Sequence, residues 1–355
     1  ESGVFFQHNL DVTKRLRLSY GLRYSDFNYV GPKDVYVYDP FQTRTIQNIT
    51  DTLTYGDGES IVRHGGFEPR ASLRITTSES SSIKLGFNRI HQFIHLVSNT
   101  AAISPTDTWK LSDTNIDPAL VDQYSIGLFK NFSENTLETS VEGYYKDMNG
   151  VQEYKDGAEL FLNNHLETEL VEGIGRSYGV EFYIKKKKGK STGWISYTYS
   201  KSERKVVGSF PDEIINQGEW FDANYDKPHD LTAVVEHKLS PYIDLSAVFT
   251  YSTGRPATFP VAKFRFLEDE DVAFFQTRNG SRGPDNHRLD LAMSFRFNAV
   301  KKIWRGEWKV SIYNAYGRDN PFSVFFDDLP GRPPGAFKLA VLGDPFFSAS
   351  YTLKL

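Results

Sequence analysis

The last eleven residues, Pro345-Phe-Phe-Ser-Ala-Ser-Tyr-Thr-Leu-Lys-Leu355, constrain the fold more tightly than any other stretch. In an extended chain successive side chains point to opposite faces. Phe347, Ala349, Tyr351, Leu353 and Leu355 therefore share one face, and Ser348, Ser350, Thr352 and Lys354 share the other. One face suits hydrocarbon and the other suits water. The pattern recurs along the whole chain, and that recurrence predicts an all-β, antiparallel transmembrane β-barrel instead of a soluble sheet.

The alternation is nearly perfect around 16–25. There Leu16, Leu18, Tyr20, Leu22 and Tyr24 oppose Arg15, Arg17, Ser19, Gly21, Arg23 and Ser25. It returns at Val180–Ile184, Leu231–Leu239, Leu245–Tyr251 and Leu289–Phe297, and more weakly at Val4–Val12, Arg70–Thr76, Ser82–Val97, Asp122–Asn131, Thr136–Tyr145, Thr192–Ser200 and Trp308–Tyr316. About thirteen strands result, each near the ~9–11 residues that a tilted strand needs to cross a bilayer. Half-apolar strands average out in hydropathy, so a mean hydropathy of -0.46 is compatible with a membrane. No run of eighteen apolar residues predicts a transmembrane helix.

Connections of two kinds alternate. Short turns are expected at 13–14, 79–81, 133–135, 188–191, 240–241 and 298–306. Long loops are expected at about 31–63, 99–120, 147–168, 203–228, 255–282 and 326–344. Outer-membrane barrels keep short turns in the periplasm and long loops outside. A hairpin formed by Asp34–Tyr38 and Arg44–Asn48 would leave that alternation unchanged. By parity the first strand starts at the extracellular end and the last finishes in the periplasm, which gives an odd strand number. Complete bacterial single-chain barrels have even numbers. Residues 1–355 are thus expected to be the C-terminal portion of a larger barrel, with the first strands lying outside this chain. A formal charge of -4 and the absence of a basic stripe in the totals argue against a nucleic-acid partner. The lack of Cys fits an oxidising envelope compartment.

Several segments resemble TonB-dependent receptors, in particular the large Bacteroidetes-type ones. They are Arg89-Ile-His-Gln-Phe-Ile-His-Leu96, Tyr144-Tyr-Lys-Asp-Met148, Gly173-Ile-Gly-Arg-Ser-Tyr-Gly-Val-Glu181, Gly193–Ser200, Tyr225-Asp-Lys-Pro-His-Asp-Leu231, Tyr251-Ser-Thr-Gly-Arg-Pro256, Arg282–Leu291 and Ile312–Pro321, in the family's order. The resemblance implies a 22-stranded barrel closed by an N-terminal plug, importing a scarce nutrient such as a siderophore, glycan or peptide with TonB energy coupling. The implied partners are outer-membrane lipid and lipopolysaccharide, the chain's own plug, TonB, and a surface lipoprotein or other outer-membrane subunits. A receptor-like barrel serving as a structural subunit of a larger complex is the alternative. This chain carries neither a plug nor a recognisable TonB box, and it ends in Leu355 where such strands more often end in Phe.

Trp109, Trp220, Phe221, Phe259, Phe274 and Phe275 fall on expected loops or their bases. Rings there can stack on a ligand, form the interfacial girdle or pack the loops together. Glu181, Asp230, Glu236, Arg288, Asp290 and Arg296 fall on the polar face and are expected to line the lumen and meet the plug. An Arg or Lys on the lipid face at mid-depth would cost roughly 2–4 kcal/mol. His91 and His95 share a strand face but stand ~13 Å apart, too far to chelate one ion. The acidic run Glu268-Asp-Glu-Asp271 lacks calcium-loop spacing. Lys185–Lys188 and Lys190 sit on an expected turn, and Gly173, Gly175 and Gly179 do not form a dinucleotide fingerprint. No catalytic constellation stands out, so no enzyme activity, cofactor or metal site is expected.

Overall fold

The computed structural model describes residues 1–97, 108–160, 162–266, 270–299, 304–327 and 335–354. Thirteen strands follow one another in a single antiparallel sheet, each paired with its neighbours in chain order. The first seven are β1 (Ser2–Thr13), β2 (Leu16–Val30), β3 (Ser60–Ser78), β4 (Ser81–Gln92), β5 (Ala119–Phe132), β6 (Leu137–Tyr154) and β7 (Leu170–Lys186). The remainder are β8 (Ser191–Lys205), β9 (His229–Lys238), β10 (Ile243–Ser252), β11 (Asn286–Ala299), β12 (Trp304–Tyr313) and β13 (Phe346–Lys354). A two-residue strand, Phe221–Asp222, adds to the end of β8. Among the described residues neither β1 nor β13 has a neighbour along its outer edge. Among the described residues no helix is long and apolar enough to cross a membrane.

The register sets apolar side chains beside apolar ones at mid-strand and gathers the polar ones on the opposite face. Leu18, Leu73, Leu85 and Ile126 stand opposite one another across β2 to β5. Ala247, Leu291, Ile312 and Phe347 do the same across β10 to β13. On the other face Glu236, Ser246, Ala292, Ser311 and Ser348 form a row. None of the described residues covers the apolar face: Ile126 is 52% exposed and Phe347 71%. Soluble monomers rarely leave an apolar patch larger than a few hundred Å². A stripe running through thirteen strands requires lipid instead.

Rows of aromatic and charged residues mark the edges of the hydrocarbon. Phe87, Tyr124, Tyr145 and Tyr178 are successive neighbours on the apolar face of β4 to β7. One step toward the long loops the same face carries Arg89, Asp122, Asp147, Arg176 and Glu203. Arg89 and Asp122 pair at 2.6 Å. Tyrosine rings favour the membrane interface and paired charges favour water, so the outer boundary lies between the two rows. At the short-turn end Trp308, Phe297 and Tyr351 cluster on the apolar face, with the Trp308 and Tyr351 centroids 5.0 Å apart.

The loops hold the surprises. Lys33–Tyr38 pairs with Ile49–Tyr55, not with Arg44–Asn48. The Thr-rich, β-branched run takes the strand, while Arg44 is drawn away by a 2.6 Å bond to the Asn115 carbonyl. The expected strand Ser82–Val97 breaks at Phe93, whose ring is buried and stacks on Phe27 at 5.1 Å. Ile94–Val97 then forms a ribbon with Thr108–Leu111. The strand over Trp308–Tyr316 stops at Tyr313 because Asn314 turns left-handed with φ 54°. Strands β6 and β8 run on to Tyr154 and Lys205, beyond the expected loop starts at 147 and 203.

The two faces make opposite demands on charge. Ala247→Arg, on the apolar face, is expected to cost roughly 2–4 kcal/mol of folding stability in bilayers. Ser246→Arg, one residue away on the polar face, should cost far less. Urea titration of tryptophan fluorescence in vesicles checks both.

Candidate functional site

The conventional hydrophobic core of this molecule lies in its long loops. Val97, Ile116, Leu160, Leu166 and Leu170 form one buried cluster. Val171, Val206, Ile215 and Phe221 form a second. Both sit where loops meet the upper strand ends, outside the lipid.

Buried ionic contacts tie the loops into one cap. Lys110 Nζ lies 3.1 Å from both Asp113 and Glu167, and all three side chains are nearly buried. The Tyr38 hydroxyl donates to Glu167 at 3.0 Å, joining segments 129 residues apart. Burial alone would raise the Glu167 carboxyl, but Lys110 and the Tyr38 hydroxyl hold it below its usual range. Burial likewise opposes the Lys110 ammonium, and Asp113 with Glu167 more than restore it, so its pKa is raised. Burial and the Glu167 charge push the Tyr38 hydroxyl upward, which keeps it a donor. Nearby, Lys155 Nζ reaches Asp212 and Thr43 Oγ1, each at 2.8 Å.

A third node centres on Arg278, whose side chain is 4% exposed. Its guanidinium donates to the Tyr154 carbonyl and to Asp156 at 2.5 Å each, and lies 4.3 Å from the centre of the Tyr154 ring. Arg204 shares Glu153 with it, at 2.6 Å. The Asn216 amide clamps the backbone of Arg278 from both sides, donating to its carbonyl and accepting from its N–H. Beside this node opens a cleft of about 710 Å³ lined by Tyr154, Asp156, Gln217, Phe275, Thr277 and Arg278, among others. Asn216, Gln217 and Gly218 on its rim are all left-handed, with φ of 49°, 57° and 76°. Two non-glycine residues in that region are a local strain that the surrounding contacts must hold.

The segments that carried the family resemblance are mostly fasteners of this cap. Asp226 is fully buried and accepts from the Ser202 N–H at 2.6 Å and from Arg282. Arg282 also reaches Asp222 at 2.5 Å and the Gly254 carbonyl at 3.2 Å. Gly254 has no room for a side chain, since a β-carbon there would strike the Gly283 carbonyl. The Asn314 amide donates to the Arg318 and Gly343 carbonyls and accepts from the Arg318 N–H, closing the turn after β12. Asn320 bonds both the N–H and the carbonyl of His287 at 3.0 Å, so its amide continues the ladder where the strand has ended.

The six loop aromatics have different fates. Phe221 is buried in the second loop cluster, so it packs loops and offers no face to a ligand. Trp220 is half-buried against the Arg176 guanidinium at 4.2 Å. Phe259 is half-buried, whereas Trp109, Phe274 and Phe275 are exposed. Of the six, only Phe275 lines the cleft beside Arg278. His91 lies 3.4 Å from Glu68, and His95 bonds the Ser112 hydroxyl at 3.0 Å. Among the described residues no three His, Asp or Glu side chains gather as a metal site. Of the run Glu268–Asp271, Glu268 and Asp269 lie outside the described residues. Lys186–Lys188 and Lys190 are exposed on the turn between β7 and β8.

The six charges expected to line the lumen all occupy the polar face. Glu236 stands in the row of Ser246 and Ala292, and the other five divide into two groups. Arg288 is held by Asp290 at 3.0 Å and by the Tyr313 hydroxyl at 2.5 Å, and Arg296 pairs with Asp244. Glu181 and Asp230 instead belong to a row containing Glu142, Glu181, Thr198 and Asp230, in which Glu142 directly faces Glu181. Sequence alone gave no hint of the Lys110–Glu167 and Arg278 links, which join residues far apart along the chain, whereas Asp226 and Arg282 lie in segments that carried the resemblance.

Removing one partner of a buried ionic group costs about 3–5 kcal/mol. Lys110→Met should therefore loosen the cap without unfolding the sheet, seen as faster amide exchange over 33–55 and 108–116. A lowered Glu167 pKa stabilises the cap fully above its ordinary value of 4.5, and that contribution is lost as pH falls through the depressed folded value. The raised Lys110 pKa contributes below its ordinary 10.5 and is lost only as pH rises through the elevated folded value. Amide protection of the cap should be flat between these limits and fall on acidification.

The family model described as TonB dependent receptor-like, beta-barrel matches residues 1–315. No curated protein sequence matches. Solved structures do. The siderophore receptor PiuA from Acinetobacter baumannii superposes with a TM-score of 0.61 at 15% identity, covering 99% of this chain and 43% of that one. The ferric-catecholate import receptor Fiu from E. coli K12 gives 0.60 at 14%, covering 99% and 44%. The FrpB iron transporter from Neisseria meningitidis gives 0.57 at 12%, covering 99% and 45%. At such identities the likeness is one of fold, and the chain spans less than half the length of these receptors. With most of its residues matched by the family model and an apolar face open to lipid, the chain belongs to the TonB-dependent receptor β-barrel family of the outer membrane.

Proposed function

We propose that the chain is the C-terminal barrel portion of a receptor that imports a scarce nutrient, such as a siderophore, glycan or peptide, with energy supplied through TonB. The observation that carries this is the Glu142–Glu181 pair on the polar face. Like charges directly opposite one another destabilise a ladder. A wall that grips a gating domain carrying the opposite charge gives that cost a purpose. Glu181, Asp230 and Glu236, which form no ion pair among the described residues, are the charges we assign to that domain, the receptor's plug. Arg288, Asp290 and Arg296 are answered within the wall and contribute less. The stitched cap, with Phe275 at its cleft, receives the ligand. No covalent chemistry is assigned to the barrel.

A second reading has the barrel as a structural subunit that docks a surface lipoprotein or another outer-membrane protein. The exposure of Phe41, Trp109 and Leu162 in the loops favours it. Growth of a deletion strain carrying the full-length gene separates the two. On limiting nutrient, import predicts growth that vanishes when TonB is inactivated. Uptake indifferent to TonB would sink the import reading. Glu142→Lys with Glu181→Lys should raise vancomycin sensitivity several-fold, and unchanged permeability would count against the plug contact.

A further inference from the structure

The cleft of about 710 Å³ beside Arg278 is built from three long loops. Tyr154 and Asp156 come from the end of β6 and the residues after it, Asn216 and Gln217 from the loop between β8 and β9, and Thr258 with residues 275–278 from the loop between β10 and β11. Its volume falls within the roughly 300–1,000 Å³ of small-molecule sites. Arg278 pins all three walls at once, through Tyr154, Asp156 and Asn216, so the cleft is shaped before any ligand arrives. Its own guanidinium is buried and engaged by that task. Among the described lining residues the one exposed charge is therefore the Asp156 carboxylate, whose Oδ1 accepts from Arg278 and whose Oδ2 meets no described donor. Gln217, Gln276 and Thr277 are exposed, and their side chains are hydrogen-bonded to no described residue. The Phe275 ring is 50% exposed beside them.

Gln217 is left-handed, with φ 57° and ψ 25°. A glycine would rest there without strain. Asn216 uses the same conformation to clamp the Arg278 backbone, but Gln217 makes no such bond and lines the cleft. Strain that no internal contact explains marks a side chain with work outside the fold. The chemistry of the lining narrows that work. An anion needs converging charged donors, and the cleft has none to offer. One carboxylate already bonded to a guanidinium is no metal site. A peptide is read at a strand edge or through its charged ends, and residues 216–217 and 276–278 lie outside the strands. There remain two amides, a carboxylate and hydroxyls, which together donate and accept, beside an electron-rich ring face. That set matches a neutral ring with hydroxyls on its edge and C–H bonds on its face. We propose that the cleft binds a neutral saccharide, with a pyranose face on the Phe275 ring and its hydroxyls held by Asp156, Gln217 and Gln276. The inference names a substrate class for the import reading and rests on that reading in taking the cap as the place where the ligand enters.

The test titrates the purified full-length receptor in a calorimeter with neutral trisaccharides of glucose, mannose, galactose, xylose and N-acetylglucosamine. At least one is expected to bind. Phe275→Ala should weaken that binding about tenfold through loss of the stacked face. Gln217→Gly is the sharper variant, because it relieves the strain. Amide protection over 206–228 should hold or rise in it while saccharide binding falls several-fold, an outcome that a merely structural Gln217 would not give. No binding by any of the five sugars, or binding that both variants leave unchanged, overturns the proposal. Ferric citrate and trialanine are titrated in parallel, and binding of either that weakens in both variants assigns the cleft to that class and overturns the proposal as well. The titration contains no TonB, so the two readings part. A saccharide bound by a receptor whose uptake ignores TonB keeps the site and removes import. TonB-dependent growth with no trisaccharide bound removes the site and leaves import standing.

Discussion

Everything in this molecule depends on one face of its sheet that none of the described residues covers. Hydrophobic burial normally drives a chain to fold against itself. Here the sheet's apolar side chains are satisfied by hydrocarbon, and the backbone ladder is then obligatory, because no water is available to any N–H or carbonyl within the bilayer. Ile126 and Phe347 look like errors of folding until lipid is supplied. Once it is, the order of the strands follows from the chain alone, each pairing with its predecessor and successor.

Freed from building a core in the sheet, the chain builds one above it. The clusters around Leu170 and Val171 resemble the interior of a small soluble domain. They are held in place by the Lys110, Arg278 and Arg282 nodes, which replace the long-range strand pairing that loops lack. The division is physical: within lipid a buried charge is costly, while above the boundary drawn by Arg89 and Asp122 ionic links become the cheapest way to fasten irregular segments together.

Most of the sheet is legible in the sequence because period-2 alternation survives in each strand and the turns alternate with loops. The loop cap was largely illegible. Tyr38 and Glu167 are joined across 129 positions, and no local pattern announces a partner so remote. Phe221 shows the limit of composition: an aromatic residue on an expected loop reads equally as a ligand platform or as packing, and only its neighbours Val171, Val206 and Ile215 decide. The facing of Glu142 and Glu181 was equally hidden. Each strand reveals which face its charges occupy, but the pairing of one strand with the next depends on register, which the sequence leaves open.

The fastened cap also restricts how this surface can vary. A receptor on the cell exterior is exposed to phages, toxins and antibodies, and a change that escapes one of them must not unfasten the loops. Lys155, wedged between Thr43 and Asp212, cannot change without disturbing two other segments. Phe41 and Leu162, exposed at the outer edge, are under no such restraint. Antigenic drift should therefore gather at these tips and leave the ionic seams beneath them almost untouched.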